Sequence, residues 1–317
     1  MKKQRSLIII AATTLITCLF IFYSLLNSGN YGWTLFLTVP FLIFLYAGYL
    51  TTNKESSFAF GRLIFIWTLV LIGFCGLLLL LQFEGAICIA LAAPIIIFPS
   101  LFGFFIGYII KKTEIGRKTY SLIILLGIIP ISQWFEHLNE GVINSNISTS
   151  ITLNYSQQEV WDLLNKEVIF NKDVHFLFQQ GVTLPTKMMV SDSTNELIVY
   201  TNNNDYLKLP LSINDSNKSL VFNPGLENTP EPMKELSPYG NFDAPHLHDY
   251  FWIDQGSFEL EVVDKTTAII HAKTNYNYKI GPKFYWKFIS DQIIDLLHQH
   301  VLHSIKAQLD YTHTNQK

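Results

Sequence analysis

Charge is scarce in this chain. Only 15% of its 317 residues are Asp, Glu, Lys or Arg, against about a quarter in a typical soluble domain. That deficit excludes a water-soluble protein along the whole length. Arginine is absent after Arg117 and cysteine after Cys88, so the C-terminal half has no disulfide framework and no Cys-based zinc site. No Walker loop and no GxGxxG run is present, which removes the commonest sequence signals for nucleotide binding.

The missing charge has a location. Residues 6–26, 32–50, 63–82, 85–110 and 119–135 contain no Asp, Glu, Lys, Arg or His. A helix of about 20 apolar residues crosses the ~30 Å hydrocarbon core of a bilayer, so five transmembrane helices are expected within residues 1–135. The fifth is the shortest and contains Pro130, and Trp134 near its end suits the headgroup level. A span pathway for ions or protons normally needs ionisable groups, and these spans supply none. Gly103 and Gly107 form a small-xxx-small pair, read as ordinary packing within the bundle.

Basic residues set the orientation. Lys2, Lys3, Arg5, Lys54, Arg62, Lys111, Lys112, Arg117 and Lys118 all fall on one side of such a bundle. Lys and Arg are retained in the cytoplasm, so the N-terminus is expected inside and the C-terminal half outside, with the bacterial inner membrane as the expected location. Two alternatives stand beside this. The first apolar run is longer than a signal-peptide core and no A-x-A site follows it, which disfavours cleavage. A four-span protein with the fifth segment buried in the polar domain would instead place that domain in the cytoplasm.

Residues 1–135 carry 9 Lys+Arg and 3 Asp+Glu, a net +6, whereas residues 136–317 carry 13 Lys and 22 Asp+Glu, a net −9. That negative charge argues against nucleic acid as a partner. Residues 136–148 read as a polar tether, 149–310 as one folded domain and 311–317 as a polar tail. The domain opens with alternation at Ile151, Leu153 and Tyr155, followed by Ser156-Gln157-Gln158-Glu159, which has capping-box spacing. Strands are expected at 187–190, 196–201, 205–213 and 218–222, and a Pro-containing loop runs from 223 to about 250. A hairpin of 257–263 and 266–278 follows, turning at Asp264 and Lys265.

In the second hairpin strand, Ile270, Ala272, Thr274, Tyr276 and Tyr278 share one face, an apolar wall with hydroxyls. Sparse polar groups in an apolar lining orient a ligand; a filled core with Tyr hydroxyls at the sheet edge is the other reading. After Gly281 and Pro282, a long helix is expected with Ile289, Ile293, Leu297, Val301 and Ile305 as its stripe, covering the sheet. Asp243, His246, His248 and Asp249 cluster in one loop, but their mixed spacing favours a structural or surface role over a metal site. On the last helix, His298 and His300 point to different faces, and a satisfied core histidine is expected. No nucleophile stands at fixed spacing from a base.

This element order resembles the helix-grip fold of the START-like, or SRPBCC, superfamily, related in shape to Bet v 1. The opening Ile-x-Leu-x-Tyr-Ser-x-x-x-Val-Trp carries the resemblance. So do Pro232-Met233 with Glu235, Ser237-Pro238-Tyr239, Pro245-His246-Leu247, Gly256-x-Phe258-x-Leu260, Tyr276, Tyr285-Trp286, Asp291, His298 and Val301-Leu302 with Ile305-Lys306, which are similar to a polyketide cyclase/dehydrase-like bacterial group. One departure is that residues 194–204 replace the group's Gly-rich strand bearing Arg and Cys.

The resemblance implies an α+β domain with an antiparallel sheet and long C-terminal helix, following the all-α transmembrane bundle. It also implies a cavity that takes a lipid or other hydrophobic small molecule, with Trp161, Tyr239, His246, Phe258, Thr274, Tyr276, Tyr278 and Trp286 as expected lining residues. No cofactor, metal or catalytic set is assigned. The alternatives are an enzyme acting on an aromatic or polyketide-like substrate, with Asp243, Glu235, His246 or His248 as acid or base, and a structural or interaction protein with a filled core. Protein partners stay open.

Overall fold

The computed structural model describes residues 32–52, 60–81, 84–113, 127–138, 141–171, 173–191, 193–215, 218–225, 228, 229, 231, 233, 234 and 250–315. The chain divides into two compact units. One comprises Met1–Gly141, Ser237–His246 and Ile280–Tyr285; the other comprises Val142–Leu236, Leu247–Lys279 and Trp286–Lys317.

In the first unit, three helices are long and apolar enough to cross a membrane: α1 (Thr34–Thr51), α2 (Phe60–Leu80) and α3 (Ala86–Lys112). The expected first span lies outside the described residues. Of the expected fifth, the described part is a shorter helix, α4 (Ile128–Leu138). α1 opens with a widened π-helical turn over Thr34–Thr38. Pro40 lacks the amide that would bond the Phe36 carbonyl, so the regular ladder starts only beyond it.

α1 and α3 meet backbone to backbone. A Cβ on Gly103 would lie 2.1 Å from the Phe41 carbonyl oxygen, one on Gly107 2.0 Å from that of Leu45, and one on Gly48 2.1 Å from that of Phe104. The small-xxx-small pair therefore packs within the bundle, as expected. α2 is held more lightly, with Trp67 Nε1–H donating to Ser100 Oγ at 3.2 Å, while Phe65, Leu69, Ile72 and Leu77 face outward.

The second unit is an eight-stranded antiparallel sheet in the order β1-β8-β7-β6-β5-β4-β3-β2. Its strands are β1 (Ile143–Leu153), β2 (Val168–Ile169), β3 (Pro185–Ser191), β4 (Glu196–Thr201), β5 (Tyr206–Asp215), β6 (Ser219–Phe222), β7 (Phe251–Val262) and β8 (Ala268–Tyr278). Two short helices, α5 (Gln157–Leu164) and α6 (Phe176–Gln179), connect β1 to β2 and β2 to β3, and α7 (Lys283–Asn315) ends the fold. Both edge strands reach α7: Thr149 of β1 bonds Asp295, and the Ile169 amide of β2 donates to Gln308 at 3.1 Å. A sheet whose two edges meet one helix is curled around it, and this is a helix-grip architecture.

Local chemistry accounts for several boundaries. The capping box forms as expected, with the Ser156 amide donating to Glu159 at 2.7 Å and the Glu159 amide donating to Ser156 Oγ. β1 starts at Ile143, inside the stretch expected as a tether, because it pairs in register with β8 from Ile143↔Tyr278 onward. β7 starts at Phe251 rather than 257, and a bulge between Ile253 and Gln255 breaks the alternation that would have marked it.

The expected polar tail is helical as far as Asn315. It is fastened there, since Tyr155 O–H donates to Asp310 and His313 lies 2.9 Å from Glu159. The core-facing stripe of α7 also differs from expectation. Ile294, His298, Val301, Leu302, Ile305 and Leu309 are buried, whereas Ile289, Ile293 and Leu297 are half-buried. Steps of four residues rotate about 40° off axis each time, so a strict four-residue series winds away from the core.

Candidate functional site

The inner face of β8 is the floor of the candidate site. Ala268, Ile270, Ala272, Thr274, Tyr276 and Tyr278 are all buried, whereas Ile269, His271, Lys273 and Asn275 are half-buried. Diagonal pairs with β7 mark the outward face: Lys273 meets Glu259, and His271 lies 3.2 Å from Glu261. Moving along β8, the floor changes from apolar to polar. Its apolar part joins a core of Leu153, Trp161, Phe258, Leu260, Val301, Leu302 and Ile305.

The polar part faces α7. Tyr276 O–H donates to Asp291 Oδ1 at 2.6 Å, and the other oxygen of Asp291 pairs with Lys287. Ser145 stands opposite Tyr276 in register. Burial and then the Asp291 carboxylate raise the Tyr276 pKa far above that of a free phenol, and the Ser145 hydroxyl opposes that rise. Tyr278 shifts the same way, by burial first. The Phe251 ring lies 5.4 Å from that of Tyr276, and Tyr276 stacks on Tyr278 at 6.0 Å.

About two turns further along α7, His298 is held by two hydroxyls. Its Nδ1 is 3.1 Å from Thr149 Oγ1 and its Nε2 is 2.8 Å from Thr274 Oγ1. Thr149 gives its proton to Asp295, so the imidazole must donate to Thr149 through Nδ1–H and accept the Thr274 proton at Nε2. This tautomer is inferred from the bonding pattern. A neutral ring satisfies every partner; a charged one does not. Burial accordingly pulls the pKa down to about 4, against a smaller opposing effect of Asp295.

The eight expected lining residues fall into groups. Thr274, Tyr276 and Tyr278 line the polar part of the floor; Trp161 and Phe258 belong to the apolar core; Trp286 is buried on the first turns of α7. Tyr239 and His246 lie outside the described residues, as do Glu235, Asp243, His248 and Asp249. Among the described residues no three His, Cys, Asp or Glu side chains are placed to hold a metal. Sequence reasoning did not assign Ser145, Thr149, Lys287 and Asp295 to the site. The spacing of Lys287, Asp291, Asp295 and His298, which share one helix face, was the available signal.

No protein-family model matches the sequence, and no curated protein matches it. Solved structures do. A START superfamily protein from Mycobacterium smegmatis is 7% identical with a TM-score of 0.31, over 53% of this chain and 98% of that one. The Zhui aromatase/cyclase from Streptomyces sp. R1128 is 10% identical with a TM-score of 0.27, over 53% and 94%. Norcoclaurine synthase from Thalictrum flavum, solved with dopamine and hydroxybenzaldehyde, is 12% identical with a TM-score of 0.30, over 53% and 87%. The helix-grip assignment itself rests on the strand order and the curl around α7 described above.

Proposed function

We propose that this chain is a membrane-anchored START-like module that binds a lipid or other hydrophobic small molecule between its sheet and C-terminal helix. The observation that carries the reading is the divided floor of β8, apolar from Ala268 to Ala272 and hydroxyl-bearing from Thr274 to Tyr278. Such a surface suits an apolar molecule with a polar, uncharged end. The half has no Arg, and Lys287, which reaches Asp291 beside Tyr276, is already paired with it, so an anionic head is disfavoured.

The anchor reading is supported by the three membrane-length helices and by their ends. Lys111 and Lys112 close α3 at one end of the bundle. At the other end the Thr34 amide donates to Glu136 at 3.2 Å, so α4 ends opposite the basic residues. With Lys and Arg retained inside, the chain leaves the bundle on the extracytoplasmic side, in a multi-pass protein of the bacterial inner membrane.

A filled core is the competing reading, favoured by the full internal bonding of His298 and Tyr276. Mass spectrometry of the full chain, extracted into lipid nanodiscs and then denatured, separates the two. A stoichiometric apolar molecule that is depleted in Thr274→Val and Tyr276→Phe supports the module. Recovery of bulk lipid alone, equal in wild type and variants, refutes it.

A further inference from the structure

Residues Ile280–Tyr285 precede and open α7, yet they belong to the helical unit. Tyr285 O–H donates to the Leu91 carbonyl in α3. At the far end of the same helix, Lys111 Nζ sits 4.3 Å above the Tyr49 ring. With a rise of 1.5 Å per residue, Leu91 and Lys111 are about 30 Å apart, the thickness of a hydrocarbon core. Tyr285 is therefore level with one membrane boundary if Lys111 marks the other.

Aromatic rings gather in this unit near that level with little cover. Trp33 is 46% exposed, Trp134 and Phe135 are each 64% exposed, and Phe284 is 68% exposed. The Trp33 and Phe284 rings lie 5.9 Å apart. Two further bonds tie α4 to the start of α1: Thr34 Oγ1 is 3.0 Å from Ser132 Oγ, and the Thr34 amide reaches Glu136. In water these rings would be an apolar liability; at the headgroup level, Trp is favoured.

We propose that Trp33, Trp134, Phe135 and Phe284 form a collar that seats the Ile280–Tyr285 segment in the lipid headgroup layer, on the bilayer face opposite Lys111. The inference rests on the membrane-anchored reading and adds a second, non-spanning contact with lipid from the C-terminal part of the chain. The occupant is the headgroup and upper acyl region. Continuity with α1 and α3 and the 30 Å spacing to the lysine end argue for it.

The test uses the full chain with Cys18, Cys75 and Cys88 changed to Ala. Single cysteines, Leu69→Cys, Trp134→Cys, Phe284→Cys and Tyr311→Cys, carry an environment-sensitive fluorophore in phosphatidylcholine nanodiscs. Probes at 284 and 134 are expected to emit to the blue of the probe at 311. They should lose most of their emission to lipids brominated high on the chain and resist aqueous iodide. Iodide-quenched probes at both 284 and 134, with a lipid-quenched probe at 69, overturn the collar and leave the anchor standing. An iodide-quenched probe at 69 overturns the anchor as well.

Discussion

His298 gives the second unit a defined acid sensitivity. The ring is buried and neutral, donating to Thr149 and accepting from Thr274, and its pKa falls from 6.5 to about 4. In the unfolded chain the same imidazole titrates near its ordinary value. Above pH 6.5 neither state binds the proton, and the neutral ring's contribution is fully present. Between about 6.5 and 4 the unfolded state is protonated and the folded state is not, so stability falls with falling pH. Below about 4 both states are charged and the loss levels off.

The expected slope in that window is about 1.4 kcal/mol per pH unit, and the whole loss is about 3 kcal/mol. Carboxylates titrate in the same range, so the measurement is a difference. His298→Gln keeps a neutral polar group and removes the titration. Urea unfolding of the full chain in detergent, followed by tryptophan emission from pH 7.5 to 4.5, reads both proteins. The wild type should lose stability relative to the variant as the pH falls, with parallel behaviour above pH 6.5. Parallel curves throughout would show that His298 is not held neutral, and the proton arrangement inferred for Thr149, Asp295 and Thr274 would fall with it.

The helix stripe gives a second test: Ile305→Ala, at a fully buried position, should cost about 2–5 kcal/mol in the same unfolding assay, whereas Ile293→Ala at a half-buried position should cost less than half as much. Equal losses would restore the four-residue stripe. In the helical unit, Gly107→Ala places a methyl 2.0 Å from the Leu45 carbonyl and should destabilise by about 1–3 kcal/mol, seen as a lower melting temperature in detergent; an unchanged melting temperature would refute the close α1–α3 approach.

What the sequence made legible depended on contrast between faces. β8 was readable because apolar and polar residues alternate, and the alternation survives as Ile270 and Ala272 inside against His271 and Lys273 outside. The start of β1 was not. Ser145 and Thr149 face inward while Asn144, Asn146 and Ser148 face outward, and a polar residue opposite a polar residue gives no period to read. Only the arrival of Tyr276, Asp295 and His298 makes one polar face interior, and those partners lie more than 120 residues away in the chain. The same holds for the site: a satisfied core histidine was expected on the last helix, but its two hydroxyl partners come from β1 and β8. Those strands are brought side by side by the Ile147↔Thr274 and Thr149↔Ala272 register.

The polar seam also explains why α7 sits at one angle. Val301, Leu302 and Ile305 alone would tolerate some rotation, because an apolar surface is non-directional. Asp291, Asp295 and His298 do not. A shift of one residue turns the helix by about 100° and would take the two carboxylates out of hydrogen-bonding reach of Tyr276 and Thr149. A hydrogen bond to a charged group is worth about 1.5–3 kcal/mol, so losing both opposes the rotation. The seam thus fixes which face of α7 meets the hydroxyl-bearing end of β8. It keeps Thr274, Tyr276 and Tyr278 together as the polar end of the floor that the proposed ligand would meet.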